Sequence, residues 1–200
     1  MSKKKIKCIL FDADGVVIER ERFSKQYSRK HGISNEEMLP FFKGIHRECI
    51  AGKVDLKLAL KEWLPKWKWK GTTDNFLQYW FESENKLNER VIKTVEGLKA
   101  EGIKCFIATN HEKYRVTHMK EVMGFDGIFD GIFFAGNIGF KKPEKEFYEY
   151  ILKNLKDKHG FNPAEIMFFD DEQKNVDGAK KLGIDAYFYK SFKDFERIVK

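Results

Sequence analysis

The chain has 200 residues, of which 42% are apolar and 15% are aromatic, so it can bury one sizeable core together with a smaller appended module. No apolar run approaches the roughly 20 residues that a membrane-spanning helix needs. The lysine-rich residues 1–5 lead into a strand-like segment and do not resemble a signal peptide. These features predict a cytoplasmic protein with no membrane partner.

The formal net charge is +7 at pH 7, and basic domains often bind nucleic acid when their lysines and arginines cluster. Here acidic residues stand between the lysines, as in residues 141–146, so the positive charge is spread over the surface. Diffuse positive charge also attracts small phosphorylated anions. The charge alone therefore does not distinguish a nucleic-acid partner from a small phosphorylated one, and the sequence as a whole does not lead us to expect nucleic acid.

The first predicted element is a buried strand at residues 6–11. This segment is short and mostly apolar, and it stops at the cluster Asp12-Ala13-Asp14-Gly15. The aspartates therefore follow directly on the carboxyl end of a strand.

The next part of the chain, residues 18–88, has no strand-like run. Its amphipathic stretches are residues 22–31, 36–49, 54–64 and 73–84. We call this predicted helical module the cap and expect residues 1–17 and 89–200 to form the catalytic core. In the cap, Arg20, Arg22, His46 and Arg47 are candidates to face the substrate, but we expect them to be solvated surface residues.

From residue 89 onward, helical and strand-like segments alternate. The predicted helices, each followed by a glycine that can end it, are residues 89–101, 112–123, 144–159 and 175–182. The predicted strands are residues 103–108, 131–134, 166–169 and 185–189. This alternation predicts an α/β fold with a parallel sheet and helices on both faces.

Polar side chains follow four of these strands. Ligands of an open parallel sheet bind at the carboxyl ends of its strands, so these side chains define the predicted active site. The residues are Asp12 and Asp14 after the first strand, Thr109 and Asn110 after the second, Lys142 after the third, and Asp170 and Asp171 after the fourth.

Several carboxylates at one edge would repel each other unless a cation offsets their charge. Mg²⁺ prefers oxygen ligands and usually takes one or two carboxylates together with substrate phosphate, which suits Asp12 and Asp171. The ammonium of Lys142 would neutralise further negative charge. The sequence therefore predicts a Mg²⁺ site.

These residue types fit phosphoryl transfer. Asp12 can attack phosphorus and form an aspartyl-phosphate, while Lys142 and the Thr109 hydroxyl hold the phosphoryl oxygens. Asp14 can protonate the leaving oxygen and then activate water. We assign Thr109 and Asn110 to substrate binding.

Four motifs resemble those of the haloacid dehalogenase-like hydrolase superfamily. They are residues 11–16, residues 107–110, Lys142-Pro143, and residues 168–171 with Asn175. The resemblance implies a Rossmann-like core with strand order 5-4-1-2-3 and a type-one helical cap. It also implies roles for the acidic residues: Asp12 as nucleophile, Asp14 as acid/base and as metal ligand through its carbonyl, and Asp171 as metal ligand. Asp170 would lie behind these ligands or reach the metal through water. Lys142 is preferred to Lys141 because the family's lysine directly precedes proline.

The function we expect is hydrolysis of a small soluble phosphate ester, by a protein that is a monomer or a homodimer. Three alternatives to this function stay open. A 2-haloacid dehalogenase is one, although such relatives lack an aspartate at the position of Asp14. A phosphomutase, which passes the phosphoryl group to a sugar hydroxyl, is another. The third is a module that binds nucleic acid or a protein partner through the basic, tryptophan-rich residues 63–70.

Overall fold

Five parallel strands form the centre of the molecule. The computed structural model describes residues 5–19 and 23–199, and its strands are β1 (Cys8–Phe11), β2 (Lys104–Thr109), β3 (Ile132–Phe134), β4 (Ile166–Asp170) and β5 (Asp185–Phe188). Their order in the sheet is β3-β2-β1-β4-β5. This is the predicted order 5-4-1-2-3 read from the opposite edge, so the prediction of the fold is confirmed.

The helices of the described residues fall into two groups. Five lie between β1 and β2 in the predicted cap: α1 (Phe23–His31), α2 (Asn35–Lys43), α3 (Ile45–Ile50), α4 (Leu56–Trp63) and α5 (Thr73–Ser83). The others are α6 (Glu89–Ala100), α7 (Lys113–Glu121), α8 (Phe125–Ile128), α9 (Ala135–Ile138), α10 (Lys145–His159), α11 (Gln173–Lys180) and α12 (Phe192–Val199). Pro163–Glu165 form a 3-10 turn before β4.

Strand β1 is buried along its whole length because both faces of the sheet are covered. Successive side chains of a strand point to opposite faces. Ile9 and Phe11 accordingly pack in the core that includes α6 and α12, whereas Cys8 and Leu10 pack in the core that includes α10 and α11. The central position of β1 places the residues that follow it in the middle of the sheet edge.

The cap helices α1–α5 have a core of their own that is rich in aromatic side chains. Trp67 is fully buried in it, and the hydroxyl of Tyr27 donates a hydrogen bond of 2.9 Å to the Trp67 carbonyl. The indole of Trp69 donates to the Thr72 carbonyl at 3.0 Å. The tryptophans that suggested a nucleic-acid surface are thus engaged within the cap.

The two chain segments that join the cap helices to the sheet lie side by side. The Glu19 amide donates to the Lys86 carbonyl, and the Asn88 amide donates to the Val17 carbonyl, both at 2.8 Å. The two connections between the cap helices and the sheet are therefore hydrogen-bonded to each other beside β1. The domain boundaries at residues 17/18 and 88/89 stay a prediction.

The structure differs from the predicted helices in two respects. The helix expected at residues 36–49 is broken at Gly44, whose φ of −102° and ψ of −112° do not continue a helix. Helices α8, α9 and α12 were not predicted, because α8 and α9 have only four residues each and α12 follows the last expected strand. Among the described residues, no helix combines the length and apolar character required to cross a membrane.

Candidate active site

The carboxyl ends of three neighbouring strands bring the predicted residues to one edge. Asp12 follows β1 and its amide donates to the Phe169 carbonyl of β4 at 2.8 Å. Thr109 is the last residue of β2 and is buried, and Asp170 is the last residue of β4 and is fully buried. The pairing of β1 with both β2 and β4 thus places Asp12 between Thr109 and Asp170.

Lys142 reaches this edge from the loop after α9. Its Nζ lies 2.7 Å from Oδ1 of Asp12 and 2.7 Å from Oδ2 of Asp170. The side chain of Asn110 accepts a hydrogen bond from the Lys142 amide at 2.8 Å and donates one to the Lys142 carbonyl at 3.0 Å. Of the two adjacent lysines, Lys142 is therefore the one whose ammonium contacts Asp12.

The second carboxylate that contacts Lys142 is held from several sides. Oδ1 of Asp170 accepts hydrogen bonds from the Glu172 amide at 2.8 Å and from the Asn175 side-chain amide at 3.0 Å. The hydroxyl of Tyr148 donates to the Asn175 carbonyl at 2.7 Å. These contacts fix the Asp170 carboxylate, and through it the ammonium of Lys142.

At this edge, burial and the neighbouring charges shift the pKa values of Asp12 and Lys142 in opposite directions. Burial raises the pKa of Asp12 well above its usual range, and the nearby Lys142 ammonium opposes that rise. Burial acts to lower the pKa of Lys142, but the carboxylates of Asp12 and Asp170 outweigh it and raise that pKa. An ionised Asp12 in this environment is favoured by additional positive charge.

The carboxylates fit a hard divalent cation. Asp12, Asp170 and Asp171 each offer an oxygen, and these oxygens lie within 4.8 Å of one another. Gly15 makes room for Asp171: its φ is +87°, and a Cβ at this position would overlap the Asp171 carboxylate. An all-oxygen set of this kind suits Mg²⁺.

Asp14 lies beside this group and faces a cavity. Its side chain is 38% exposed, and its Oδ2 lies 3.4 Å from Nε2 of His111. His111 was not among the predicted site residues, although it follows Asn110 directly. The same reasoning from strand ends would have included it.

The cavity has a volume of about 310 Å³ and lies between the cap helices and the strand ends. Its lining includes Asp14, Asn110, His111, Glu112 and Arg115 from the sheet side, and Phe23, Ser24, Asn35, Leu39, Phe42, His46, Ile50, Leu56, Trp80, Phe81 and Glu84 from the cap side. Most of the cap-side residues are apolar. The sequence indicated their helices but not which of their faces would meet the active site.

One expectation for the cap is wrong. His46 does not belong to the solvated surface but lines the cavity, where its ring packs against Phe41, Phe42 and Trp80. His46 lies in α3, and the face of α3 that carries it points toward the cavity. Arg47 is exposed as expected. The expectation for Arg20 and Arg22 lies outside the described residues.

The predicted residues thus lie in two adjoining groups. Asp12, Lys142, Asp170 and Asp171 gather at the strand ends, whereas Asp14 and Asn110 border the cavity. The roles of these residues, and of Thr109, remain predictions that the geometry permits.

The sequence of residues 6–183 matches the profile of the haloacid dehalogenase-like hydrolases. The match covers most of the chain and includes all four motifs. The chain therefore belongs to the haloacid dehalogenase-like hydrolase family, and the resemblance seen in the motifs is confirmed.

Curated relatives of the chain include several named phosphatases. A phosphorylated carbohydrates phosphatase of Thermotoga maritima is 21% identical, with 92% of this chain and 84% of the relative covered. A D-ribitol-5-phosphate phosphatase of Bacteroides thetaiotaomicron is 23% identical, with 91% of each covered. A sesquiterpene phosphatase of Aspergillus oryzae is 32% identical over 95 residues. This match spans 48% of this chain and 46% of the relative, which is about half of its length.

Solved structures share the fold. A haloacid dehalogenase family enzyme from Bacteroides thetaiotaomicron, in complex with magnesium and inorganic phosphate, has a TM-score of 0.78 at 19% identity, with 98% of this chain and 100% of that chain covered. An L-2-haloacid dehalogenase from Xanthobacter autotrophicus has a TM-score of 0.65 at 19% identity, with 97% and 82% covered. The fold alone therefore does not separate phosphatases from dehalogenases.

Proposed function

We propose that this protein is a Mg²⁺-dependent phosphatase that hydrolyses a small phosphate monoester through an aspartyl-phosphate on Asp12. The observation that carries the proposal is the contact of the Lys142 ammonium with Asp12, beside a cluster of carboxylate oxygens that a divalent cation would neutralise. The named phosphatases among its relatives support the reaction class, and two of those names specify phosphorylated carbohydrates or ribitol phosphate.

In the proposed mechanism, an oxygen of Asp12 attacks phosphorus in line with the ester oxygen. Lys142 and the Thr109 hydroxyl stabilise the charge on the phosphoryl oxygens. Asp14, which borders the cavity where the leaving group would lie, protonates the departing oxygen. It then accepts a proton from the water that hydrolyses the aspartyl-phosphate and releases inorganic phosphate.

The residues that would hold Mg²⁺ are Asp12, Asp171 and the carbonyl of Asp14, with Asp170 acting through water. When bound, Mg²⁺ would supply positive charge to the phosphoryl oxygens and to the ionised form of Asp12. We also propose that residues 18–88 act as a cap over the site and limit the size of the substrate.

The direct test is hydrolysis of p-nitrophenyl phosphate by the purified protein with Mg²⁺ and with excess EDTA. We expect turnover that requires Mg²⁺ and is abolished in Asp12→Asn, a change that keeps the size of the side chain. Turnover by Asp12→Asn at the wild-type rate would contradict the proposal.

The same preparation separates the alternatives. Release of labelled inorganic phosphate from a sugar phosphate indicates a phosphatase, whereas transfer of the label to a bisphosphorylated sugar indicates a phosphomutase. Metal-independent release of chloride from 2-chloropropionate would indicate a dehalogenase. Salt-sensitive binding of oligonucleotides without any hydrolysis would instead favour the nucleic-acid-binding module.

A further inference from the structure

The cap side of the cavity indicates what kind of alcohol leaves the phosphate. We propose that the substrate is a phosphate ester of a small apolar alcohol, whose hydrocarbon group lies against the aromatic wall formed by Phe42, Trp80 and Phe81. This inference rests on the proposed phosphatase function and adds the substrate class to it.

The aromatic wall is held in place by its own contacts. The centroid of the Trp80 ring lies 5.5 Å from the ring centroid of Phe42 and 5.8 Å from that of Phe81. The Trp80 ring also stacks on the ring of Phe23, with a centroid distance of 5.1 Å. The Trp80 indole donates a hydrogen bond of 3.0 Å to Glu84. A preformed apolar surface of this kind binds hydrocarbon groups without first having to order itself.

Glu84 on the cap side of the cavity, and Arg115 next to it on the sheet side, are already engaged with the protein. The two carboxylate oxygens of Glu84 accept hydrogen bonds from the Phe23 amide at 2.9 Å and from the Trp80 indole. The guanidinium of Arg115 donates to the Phe81 carbonyl at 2.9 Å and to the Glu84 carbonyl at 2.7 Å. These contacts build the wall and leave Glu84 and Arg115 poorly suited to bind the hydroxyls of a polyol.

The polarity of the cavity changes from one end to the other. Asp14, Asn110 and His111 lie at the strand ends, where the phosphate would bind, and Leu39 and Leu56 lie with the aromatic wall on the cap side. Ser24, Asn35 and His46 also line the cap side, but most of its lining is apolar. A polyol chain would bring several hydroxyls toward this mostly apolar end, where each hydroxyl that finds no partner is penalised. A hydrocarbon group gains from the same surroundings.

The cavity volume sets the size of the leaving group. About 310 Å³ is at the lower end of the range of roughly 300–1,000 Å³ for small-molecule pockets. We therefore expect one ring, or an aliphatic group of similar bulk, rather than a long lipid chain.

The test compares esters of primary alcohols, so that the chemistry of the leaving oxygen is similar throughout. The panel consists of benzyl phosphate and cyclohexylmethyl phosphate as apolar esters, and ribitol 5-phosphate and glycerol 3-phosphate as polyol esters. We expect kcat/KM for the better apolar ester to exceed that for both polyol esters by about tenfold or more. The two apolar esters distinguish an aryl from an alkyl preference, and either preference supports the proposal.

Acetyl phosphate separates failure of this inference from failure of the proposed function, because its small acyl group does not reach the aromatic wall. If acetyl phosphate is hydrolysed and the polyol esters are equal to or better than the apolar esters, the apolar assignment is overturned and the phosphatase proposal stands. If p-nitrophenyl phosphate, acetyl phosphate and all four esters are left intact, both are overturned.

Two cap leucines provide a matched pair of variants. Leu39 is 43% exposed and lines the cavity, whereas Leu58 is 61% exposed and is not among the lining residues. Because both are exposed, neither Leu39→Asn nor Leu58→Asn should prevent folding. The quantity to compare is kcat/KM for benzyl phosphate divided by kcat/KM for acetyl phosphate. We expect Leu39→Asn to lower this ratio several-fold, and Phe42→Ala to lower it by about tenfold.

Leu58→Asn should leave that ratio at the wild-type value. Circular dichroism and thermal unfolding establish that each variant is folded. An unchanged ratio in both Leu39→Asn and Phe42→Ala would overturn the assignment of the aromatic wall to the leaving group.

Discussion

The side chain of Asn110 holds the backbone of Lys142 through two hydrogen bonds, one to the amide at 2.8 Å and one to the carbonyl at 3.0 Å. Asn110 follows β2 directly, so this contact ties the loop that carries Lys142 to the carboxyl end of a strand. The ammonium of Lys142 is in turn aimed at Asp12 and Asp170. Asn110 thus acts as a positioning residue for Lys142, whatever contact it makes with substrate.

Asn110→Ala removes both hydrogen bonds to the Lys142 backbone. We expect kcat for p-nitrophenyl phosphate to fall about tenfold or more because Lys142 is no longer held in place, and stability to fall by about 1–3 kcal/mol. Steady-state kinetics and urea unfolding measure the two effects. The exposed Asn137 provides the control, since Asn137→Ala should change neither. A wild-type kcat in Asn110→Ala would refute the positioning role.

Lys142→Met removes a buried charge and keeps the length of the side chain. The carboxylates of Asp12 and Asp170 would then face each other without the ammonium, so we expect loss of activity and a decrease in stability of about 3–5 kcal/mol. The neighbouring Lys141→Met is the matched control and should remain active and stable. Phosphatase assays and urea unfolding of both variants measure these effects. An active Lys142→Met together with an inactive Lys141→Met would show that Lys141, and not Lys142, is the active-site lysine.

Gly15→Ala tests how closely the first loop approaches the predicted metal site. A Cβ at Gly15 would overlap the Asp171 carboxylate, so we expect the Mg²⁺ concentration for half-maximal activity to rise. Gly102 has a similar φ, +84° against +87°, but no atom lies within 4 Å of its Cβ position. Gly102→Ala therefore carries the backbone strain, about 1–2 kcal/mol, without disturbing Asp171.

Mg²⁺ titrations of activity compare the two alanine variants directly. Equal half-maximal Mg²⁺ concentrations in Gly15→Ala and Gly102→Ala would show that Asp171 does not contribute to metal binding.

His46 makes stability depend on pH. Burial, together with the nearby His111, lowers the pKa of His46 from 6.5 to about 3 in the folded protein. Between these values the unfolded chain binds a proton that the folded protein does not, so His46 makes the folded state less stable as pH falls from about 6.5 to about 3. We expect His46→Phe to make the free energy of unfolding less dependent on pH in this interval. Urea unfolding at several pH values measures it, and an unchanged slope would contradict the burial of a neutral His46.

The sheet and the residues at its edge could be predicted because their signals are local. Each buried strand appears as a short apolar run, and Asp12, Asp14, Asp170 and Asp171 follow such runs directly. The carboxyl ends of parallel strands meet at one edge, so the approximate site followed from the strand assignments alone. The choice of Lys142 over Lys141 needed the resemblance to the family, because both lysines are equally close to that edge in sequence.

The cap side of the site could not be predicted in the same way. Arg115 lies in a helix and carries a charge, which is typical of an exposed residue, yet it is buried because carbonyls of Phe81 and Glu84 accept its hydrogen bonds. His46 and Trp80 face the cavity because of how α3 and α5 pack on the other cap helices. The contacts of Arg115 with Phe81 and Glu84, and of His46 with Trp80, join residues more than 30 positions apart, and helical periodicity does not determine them.

The measurement that tests the central claim most directly is detection of a phosphoryl group on Asp12. The wild-type protein is mixed with substrate and Mg²⁺, quenched in acid during turnover and digested for peptide mass spectrometry. We predict that the peptide containing Asp12 gains the mass of one phosphoryl group, that the same peptide from Asp12→Asn does not, and that borohydride reduces the modified residue to homoserine. Rapid turnover with no phosphorylated Asp12 peptide, or a phosphoryl group on another residue, would contradict the assignment of Asp12 as the nucleophile.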